Sequence, residues 1–318
     1  MSTPLIETRD LKEYFKTKRG LLHAVDGVNL SIEKGMTLGV VGESGCGKST
    51  LGRTILRLIE PTGGDVLYDG QSIVNYNPKQ MLQMRQKMQI IFQDPYASLN
   101  PRMSISDIIA EPIRVCKTIT DKRQLEQKVM QLMDEVGLAR RFVNTYPHEL
   151  DGGRRQRVGI ARALALDPQF IVCDEPVSAL DVSIQAQILN LLMDLQEEKG
   201  LTYMFITHDL SVVKHISDEI MVMYLGQCVE QAPKEELFRN PQHPYTKALL
   251  NAIPKPNLSF RTRERQILRG EVTSPVNPKP GCRFAARCPY ASEKCTGCDI
   301  PLRETTPGHQ VACVLFDK

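Results

Sequence analysis

Short apolar runs and helically spaced apolar positions alternate along the first 240 residues of the chain. The pattern predicts strands at Leu5–Leu11, Val25–Ile32, Thr37–Val41, Val66–Tyr68, Met88–Phe92, Phe170–Cys173, Thr202–Thr207 and Glu219–Tyr224. Of these, Thr37–Val41 and Phe170–Cys173 are apolar enough to be buried strands. Apolar residues three or four positions apart predict helices at Ser49–Leu58, Ile105–Val115, Arg123–Val136, Ser183–Lys199 and Leu210–Ile216. Because strands and helices alternate, we expect an α/β fold with a parallel core, an N-terminal antiparallel β subdomain and a helical insertion at about residues 95–160.

The pattern changes after residue 240. Ten of the twenty prolines lie in the final 78 residues, which is too many for a packed α/β layer. We therefore expect a main domain at residues 1–240 and a loop-rich, cysteine-containing extension at residues 241–318.

Composition narrows the class of protein. The 318 residues are 42% hydrophobic and 24% charged, which is typical of a soluble globular protein. A net charge of +3 gives no reason to expect a nucleic-acid partner. No apolar run reaches the roughly 18 residues of a membrane-spanning helix, and the N-terminal residues lack the apolar core of a signal peptide. We expect a cytoplasmic protein that reaches a membrane only through a partner.

A phosphate-loop pattern, Gly-x-x-x-x-Gly-Lys-Ser/Thr, stands between the strand Thr37–Val41 and the helix that follows it, as the motif requires. Glycines in such a loop let backbone N–H groups point at phosphate oxygens, and the helix start adds a positive dipole end. Lys48 would reach the β and γ phosphates of a nucleotide, and the Ser49 hydroxyl would bind Mg²⁺. A glycine-rich turn with a chance lysine is the weaker alternative. The predicted loop residues are Gly42, Glu43, Ser44, Gly45, Cys46, Gly47, Lys48, Ser49 and Thr50.

The strand Phe170–Cys173 leads into two acids. Asp174 is expected beside the Mg²⁺ ion, and Glu175 is expected to act as the general base on the attacking water. Such a base typically contributes about 10²–10⁴ in rate. Phosphoryl transfer otherwise needs positioning and charge stabilisation more than covalent chemistry. For an isolated Asp-Glu pair, an ordinary loop start would be the alternative.

Further motifs surround these two elements in a fixed order. Gln93 follows the strand Met88–Phe92, and Leu150–Arg157 opens a helix that leads towards the two acids. Ser178–Asp181 comes after them, and His208 ends the strand Thr202–Thr207. This order resembles the ATP-binding cassette (ABC) ATPases over about residues 5–240.

The resemblance implies a role for each motif. Phe15, rather than Tyr14, would stack on adenine. Gln93 would contact Mg²⁺ and the water and sense a membrane partner. Asp181 would link the two sites of a dimer, and His208 would hold the γ-phosphate. ABC ATPases work as head-to-tail dimers, in which each ATP lies between one chain's phosphate loop and the other chain's signature.

The signature itself departs from the family pattern. Where the family has Leu-Ser-Gly-Gly-Gln, this chain has Leu150 followed by Asp151, Gly152, Gly153 and Arg154. An ionised Asp151 cannot donate to the γ-phosphate as the serine does, and two like charges about 4 Å apart cost about 4 kcal/mol at an effective dielectric near 20. Arg154, Arg155 or Mg²⁺ would offset much of that cost. We expect a heterodimer in which this chain's own site hydrolyses ATP and the site facing Asp151 is slow. A tolerated variant with normal activity is the alternative.

Further segments resemble the dipeptide/oligopeptide and nickel importer branch of the family: Gln93–Arg102, Glu175–Gln187, Asn240–Leu250, Gly281–Tyr290 and His309–Cys313. This resemblance implies an ATP- and Mg²⁺-dependent subunit at the cytoplasmic face of the membrane. Its partners would be a second ATPase chain, two membrane-spanning permease subunits and an extracytoplasmic peptide-binding protein. A mainly regulatory nucleotide-binding subunit, or the ATPase of a nickel or glutathione importer, is the alternative, and a soluble ABC protein of DNA repair or translation is a more distant one.

Five of the nine cysteines crowd the last 37 residues. In a reducing compartment, such a cluster suggests a metal before disulfides. The spacing lacks the paired Cys-x-x-Cys of a zinc ribbon, whereas four thiolates suit a [4Fe–4S] cluster, which some relatives in this branch are understood to carry. Reduced thiols or a zinc ion are the alternatives, and Cys298 is an extra candidate ligand. The four candidate cluster ligands are Cys282, Cys288, Cys295 and Cys313.

Overall fold

The computed structural model describes residues 3–253 and 273–316. The remaining stretches of the predicted extension, at 254–272 and 317–318, lie outside the described residues. The described chain forms two compact units, each assembled from separate stretches of sequence. The helical unit consists of residues 3–5, 32–36 and 75–206, and the phosphate-loop unit consists of residues 6–31, 37–74, 207–253 and 273–316.

The strands, numbered along the chain, are β1 (Ile6–Thr17), β2 (Gly20–Ile32), β3 (Thr37–Val41), β4 (Gly63–Tyr68), β5 (Gln71–Ser72), β6 (Met88–Ile91), β7 (Phe170–Asp174), β8 (Thr202–Thr207), β9 (Glu219–Tyr224), β10 (Gln227–Pro233), β11 (Arg303–Thr306) and β12 (His309–Val311). The helices are α1 (Lys48–Ile55), α2 (Pro78–Lys87), α3 (Pro95–Ser98), α4 (Ile105–Cys116), α5 (Lys122–Glu135), α6 (Gly152–Leu164), α7 (Val182–Lys199), α8 (Leu210–Ile216), α9 (Lys234–Arg239) and α10 (Pro244–Ala252).

In the helical unit, β6, β7 and β8 run parallel. Met88 on β6 pairs with Phe170 on β7, and Phe170 pairs with Thr202 on β8. Every residue of β7 and β8 is buried, as expected for parallel strands that are covered on both faces. Because parallel strands end at the same edge, the residues that follow β6 and β7 lie close together, and this edge is where α/β sheets bind ligands.

Helices α3 to α6 of this unit follow β6 and precede β7. Helix α4 buries Ile105, Ile109 and Ile113 completely and packs against α5 and α6. Its first turn is capped by Ser104, whose hydroxyl accepts a hydrogen bond from the Asp107 N–H. The two helices that the apolar spacing predicts in this region are therefore present, close to the predicted bounds.

The phosphate-loop unit contains an antiparallel sheet and a further set of paired strands. The first sheet has the order β2-β1-β4-β5, with Ile6 on β1 paired with Tyr68 on β4. The second set has the order β11-β12-β10-β9-β3. Within it, β3 pairs in parallel with β9, and the other pairs are antiparallel. The predicted N-terminal antiparallel sheet is confirmed.

The structure differs from the sequence prediction in several elements. Strands β1 and β2 are longer than predicted, because only Lys18 and Arg19 form the turn between them. The polar segments that form α2, β10, β11 and β12 were not predicted. Helix α2 buries only Met81 and Met84, too few apolar residues to show a helical period. Strand β12 exists through tertiary pairing with β10, where Glu230 is opposite Val311.

Among the residues that the structure describes, no helix combines the length and apolar character needed to cross a bilayer.

Candidate nucleotide-binding site

The predicted phosphate loop lies between β3 and α1, in the strand–loop–helix context that the motif requires. Gly42, Gly45 and Gly47 all have positive φ angles, at 155°, 78° and 105°. A Cβ atom at Gly47 would lie 2.0 Å from the carbonyl oxygen of Ala24, and a Cβ at Gly42 would lie 2.2 Å from that of Met223. Glycine is therefore required at these two positions by close backbone contact as well as by conformation.

Lys48 is buried against the loop that it belongs to. Its Nζ donates to the carbonyl oxygens of Gly42 at 2.8 Å and Glu43 at 3.0 Å. Gly47 caps α1 in a left-handed conformation, and no side chain caps the positive end of the α1 helix dipole. Ser49 and Thr50, in the same turn, are half-buried. The loop thus brings an ammonium group and a helix N-terminus together, which suits polyphosphate binding.

Tyr14 and Phe15, the two neighbouring aromatic residues on β1, point to opposite faces of the strand. The Tyr14 hydroxyl donates to the carboxylate of Asp26, and its ring stacks on His23 with the centroids 3.9 Å apart. Burial, together with the bond to Asp26, raises the pKa of Tyr14. Phe15, the next residue, points to the opposite face of the strand and is half-buried. One face of the Tyr14 ring is already covered, and Phe15 stays the predicted adenine contact.

In the helical unit, two predicted catalytic residues are in direct contact. The Gln93 Nε2 atom donates to Oε2 of Glu175 at 2.9 Å. Gln93 follows β6 and Glu175 follows β7, so their meeting is a consequence of the parallel pairing of these strands. The backbone N–H of Glu175 donates to the Ile206 carbonyl at 2.9 Å. Asp174, the last residue of β7, is 1% exposed.

The altered signature forms the N-terminus of α6. Asp151 caps this helix by accepting from the Arg154 N–H at 2.8 Å, and its other carboxylate oxygen pairs with the Arg154 guanidinium at 2.7 Å. A Cβ at Gly153 would lie 2.7 Å from a methyl group of Ile184, so the helix start fits closely against α7. Asp151 thus performs the capping for which serine is also suited, and Arg154 partly offsets its charge.

The remaining predicted site residues occupy strand and helix ends. His208 is exposed and lies between β8 and α8. Asp181 caps α7 by accepting from the N–H of Ile184 at 3.0 Å. Phe15, the phosphate loop and His208 belong to one unit, whereas Gln93, the two acids and the signature belong to the other.

The four candidate cluster cysteines, Cys282, Cys288, Cys295 and Cys313, all line one pocket, together with apolar side chains such as Phe284 and Leu315. Burial, with a further contribution from the three other cysteines, raises the pKa of Cys282 to about 11. Cys298 is exposed and does not line this pocket. Within residues 3–253 and 273–316, no group of three or more His, Cys, Asp or Glu residues could hold a metal ion.

Two residues that the motifs did not indicate contact the phosphate loop. The Tyr245 hydroxyl accepts from the N–H of Glu43 at 2.9 Å, and the Arg287 guanidinium pairs with the Glu43 carboxylate at 2.8 Å. Both residues lie more than 200 positions after Glu43 in the sequence. No local pattern in the sequence signals this contact.

Two family models match the chain. One, described as ABC transporter, covers residues 25–178, and the other, described as the C-terminal region of oligopeptide/dipeptide transporters, covers residues 229–295.

Curated relatives match along nearly the whole chain. The dipeptide transport ATP-binding protein DppF of Haemophilus influenzae is 51% identical, covering 99% of this chain and 98% of the relative. The protein of the same name from Escherichia coli is 50% identical, covering 100% of this chain and 96% of the relative. The putative oligopeptide transport ATP-binding protein YkfD of Bacillus subtilis is 52% identical, covering 98% of this chain and 96% of the relative.

Solved structures share the fold of most of the chain. An ATP-binding cassette, solved as a dimer in a post-hydrolysis state with ADP and Pi, is 28% identical with a TM-score of 0.67, covering 72% of this chain and 98% of its own. The structure of cbiO1 from Clostridium perfringens, part of an ABC transporter complex, is 27% identical with a TM-score of 0.66, covering 75% of this chain and 92% of its own. The predicted α/β ATPase-cassette fold is confirmed.

Replacement of Gly47 by alanine should weaken MgATP binding by at least tenfold, because the new Cβ would force the loop away from the Ala24 carbonyl. Calorimetric titration of the purified full-length chain measures this affinity. The matched control is Gly159→Ala in the interior of α6, where an added Cβ meets nothing within 4 Å apart from the backbone of its own helix, and the affinity should be unchanged. Equal affinities for the Gly47→Ala variant and the parent chain would contradict the assigned loop geometry.

Proposed function

Because this chain belongs to the ABC transporter ATP-binding proteins of dipeptide and oligopeptide import, we propose that it is the ATP-hydrolysing subunit of a peptide importer and works in an asymmetric ATPase heterodimer. The hydrolysis of ATP coupled to transport is the activity of this family. Peptides are the cargo we propose, because the names of the relatives refer to dipeptide and oligopeptide transport.

The main observation in support of ATP hydrolysis is the hydrogen bond between Gln93 and Glu175. Glu175 has the carboxylate that a general base needs, and Gln93 holds that carboxylate at the end of the parallel strands. A water molecule bound beside both side chains would be oriented by the Gln93 amide and deprotonated by Glu175. His208 would hold the γ-phosphate that receives this water.

The phosphate loop supports nucleotide binding. Its backbone N–H groups and Lys48 would hold the phosphates, and Phe15 would stack on adenine. Mg²⁺ would be held by Ser49, Asp174 and Gln93, an oxygen donor set of the kind that this ion prefers. The ion supplies charge stabilisation for the transferring phosphoryl group.

The partners of the proposed subunit are a second ATPase chain, two permease subunits and an extracytoplasmic peptide-binding protein. The chain would bind peripherally at the cytoplasmic face of the membrane, with ATP closing the ATPase dimer and the segment around Gln93 passing that motion to the permeases. We propose that the ATPase domain comprises residues 1–240 and that the extension comprises residues 241–318. For the cargo, nickel or glutathione is the alternative to peptides.

Glu175→Gln should lower ATP turnover of the reconstituted transporter by about 10²–10⁴, because an amide cannot accept the proton of the attacking water. Phosphate release in proteoliposomes measures the turnover. The matched control, Glu198→Gln, removes one exposed carboxylate from α7 and should have no effect. If Glu175→Gln changes turnover little, the chain is instead a mainly regulatory subunit whose bound ATP holds the dimer together.

The signature of this chain supports unequal sites in the dimer. Asp151 and Arg154 are both substantially exposed, with 57% and 46% of their side chains accessible. Their ion pair in solvent is therefore weak and can rearrange when a nucleotide arrives. We infer that the ATP bound by the partner ATPase would meet a carboxylate in place of a hydroxyl donor and would be hydrolysed slowly.

The double change Asp151→Ser, Arg154→Gln should raise turnover of the complex several-fold, because serine can cap α6 and also donate to a phosphate. Arg154→Gln alone should not raise it, since Asp151 then keeps its charge without the paired guanidinium. Steady-state phosphate release by the complex compares the two variants. Unchanged turnover in the double variant would show that the altered signature is a tolerated variant.

We also propose that the four candidate cluster cysteines of the extension hold a [4Fe–4S] cluster. The four cysteines line one pocket whose other lining residues are largely apolar, and four thiolates are a donor set that suits iron–sulfur chemistry. A four-iron cluster is larger than a single ion, so its thiolates lie further apart than the ligands of one zinc ion.

Purification of the full-length chain without oxygen should give a brown protein that contains iron and acid-labile sulfide. Cys282→Ser should lose both, because a ligand from the pocket is removed, whereas Cys298→Ser should keep both, because that residue is exposed outside the pocket. Metal analysis and the visible absorption spectrum check this result. A colourless protein with neither iron nor sulfide would rule out the cluster.

A further inference from the structure

Glu43, the second residue of the phosphate loop, has every one of its polar groups engaged. Its carbonyl oxygen accepts from Lys48, its N–H donates to the Tyr245 hydroxyl at 2.9 Å, and its carboxylate binds Arg287. Tyr245 and Arg287 both follow residue 240, whereas the loop begins at Gly42. The C-terminal part of the chain is therefore in direct contact with the loop that would receive the nucleotide.

The contact with Arg287 is bidentate. Nη1 of Arg287 lies 2.8 Å from Oε2 of Glu43, and Nη2 lies 3.2 Å from Oε1. The Arg287 side chain is only 9% exposed and that of Glu43 is 29% exposed, so the pair is largely shielded from water. A paired fork of this kind fixes orientation as well as charge. Removal of one partner from a shielded pair leaves an uncompensated charge, which is strongly unfavourable.

The segment that carries Arg287 is anchored in the same unit. Phe284 is 1% exposed and its ring packs edge-on against Tyr224, which in turn packs against Tyr245. Arg283, four residues before Arg287, donates to the Asp26 carboxylate and to the Leu225 carbonyl. The segment that carries Arg287 is thus held by an aromatic cluster and a second ion pair, so its position does not depend on Glu43 alone.

The ion pair between Arg287 and Glu43 affects the charge of the proposed nucleotide site. The loop must accept a polyanion, yet it carries a carboxylate at Glu43. Arg287 offsets that charge and at the same time fixes the residue whose carbonyl oxygen bonds Lys48. We propose that Arg287 is a positioning residue of the nucleotide site, which neutralises Glu43 and holds the phosphate loop in its binding conformation. This inference rests on the proposed ATP-binding function and assigns part of that site to the C-terminal segment.

The test is a double-mutant cycle on the full-length chain, with MgATP affinity measured by calorimetry. Arg287→Ala should weaken MgATP binding at least tenfold when residue 43 is glutamate. In a Glu43→Gln background the same change should weaken binding less than threefold, because no unpaired carboxylate remains in the loop. Arg287→Lys should fall between these results, since lysine keeps the charge and loses the bidentate fork. Lys279→Ala is the matched control, because it removes an exposed positive charge from the extension, and it should leave the affinity for MgATP unchanged.

Each outcome decides the proposal. If Arg287→Ala weakens binding equally in both backgrounds, Arg287 supports the fold of the tail and does not act through Glu43, which overturns the proposal. If the Arg287→Ala variant does not fold, the double variant Arg287→Ala, Glu43→Gln should still fold and bind MgATP. A double variant that fails to fold or to bind MgATP would also overturn the proposal. A parent chain without affinity for MgATP would contradict the proposed function itself, whereas a parent chain that binds alongside an Arg287→Ala variant of equal affinity would contradict only this inference.

Discussion

Close contact between backbone atoms around Gly42 and Gly47 is the constraint on which the nucleotide site depends. The carbonyl groups of Met223 and Ala24 lie where a side chain would otherwise begin, so the loop can adopt its turn only with glycine there. The loop is further tied down by the Gly226 N–H, which donates to the Cys46 carbonyl at 2.7 Å. Because the loop is supported by backbone of distant segments, its N–H groups are held in place before any phosphate arrives.

A second constraint acts at the carboxyl ends of the parallel strands. Glu175 has a φ angle of 47°, a left-handed conformation that costs a residue other than glycine about 1–3 kcal/mol. The bond from its N–H to Ile206 and the bond from Gln93 to its carboxylate hold it in that conformation. The proposed general base is therefore placed by strand pairing and backbone conformation together.

Two acidic residues that the sequence places beside phosphate groups, Asp151 and Glu43, are each paired with an arginine. Asp151 is an anion in a signature that would face a phosphate, yet its carboxylate caps α6 and pairs with Arg154. Glu43 is an anion in a phosphate loop, yet it is paired with Arg287 from the C-terminal segment. The formal charge of Glu43 overstates the repulsion that a nucleotide would meet, because its guanidinium partner is largely shielded from water. The exposed pair of Asp151 and Arg154 offsets the charge of Asp151 only in part.

The sequence by itself determined the elements whose pattern is local: the strand–loop–helix around Lys48, the buried strand before Asp174, and the helices α4 and α5. These follow from backbone conformation and side-chain periodicity, which a short window of residues specifies. It could not show the polar strand β12, whose His309 lies buried at 2.8 Å from Glu230, nor the bond between Gln93 and Glu175, nor the pairing of Arg287 with Glu43. Those contacts join residues 79, 82 and 244 positions apart. Only tertiary structure decides them, because partners so distant in sequence leave no shared period and meet only when the strands pair.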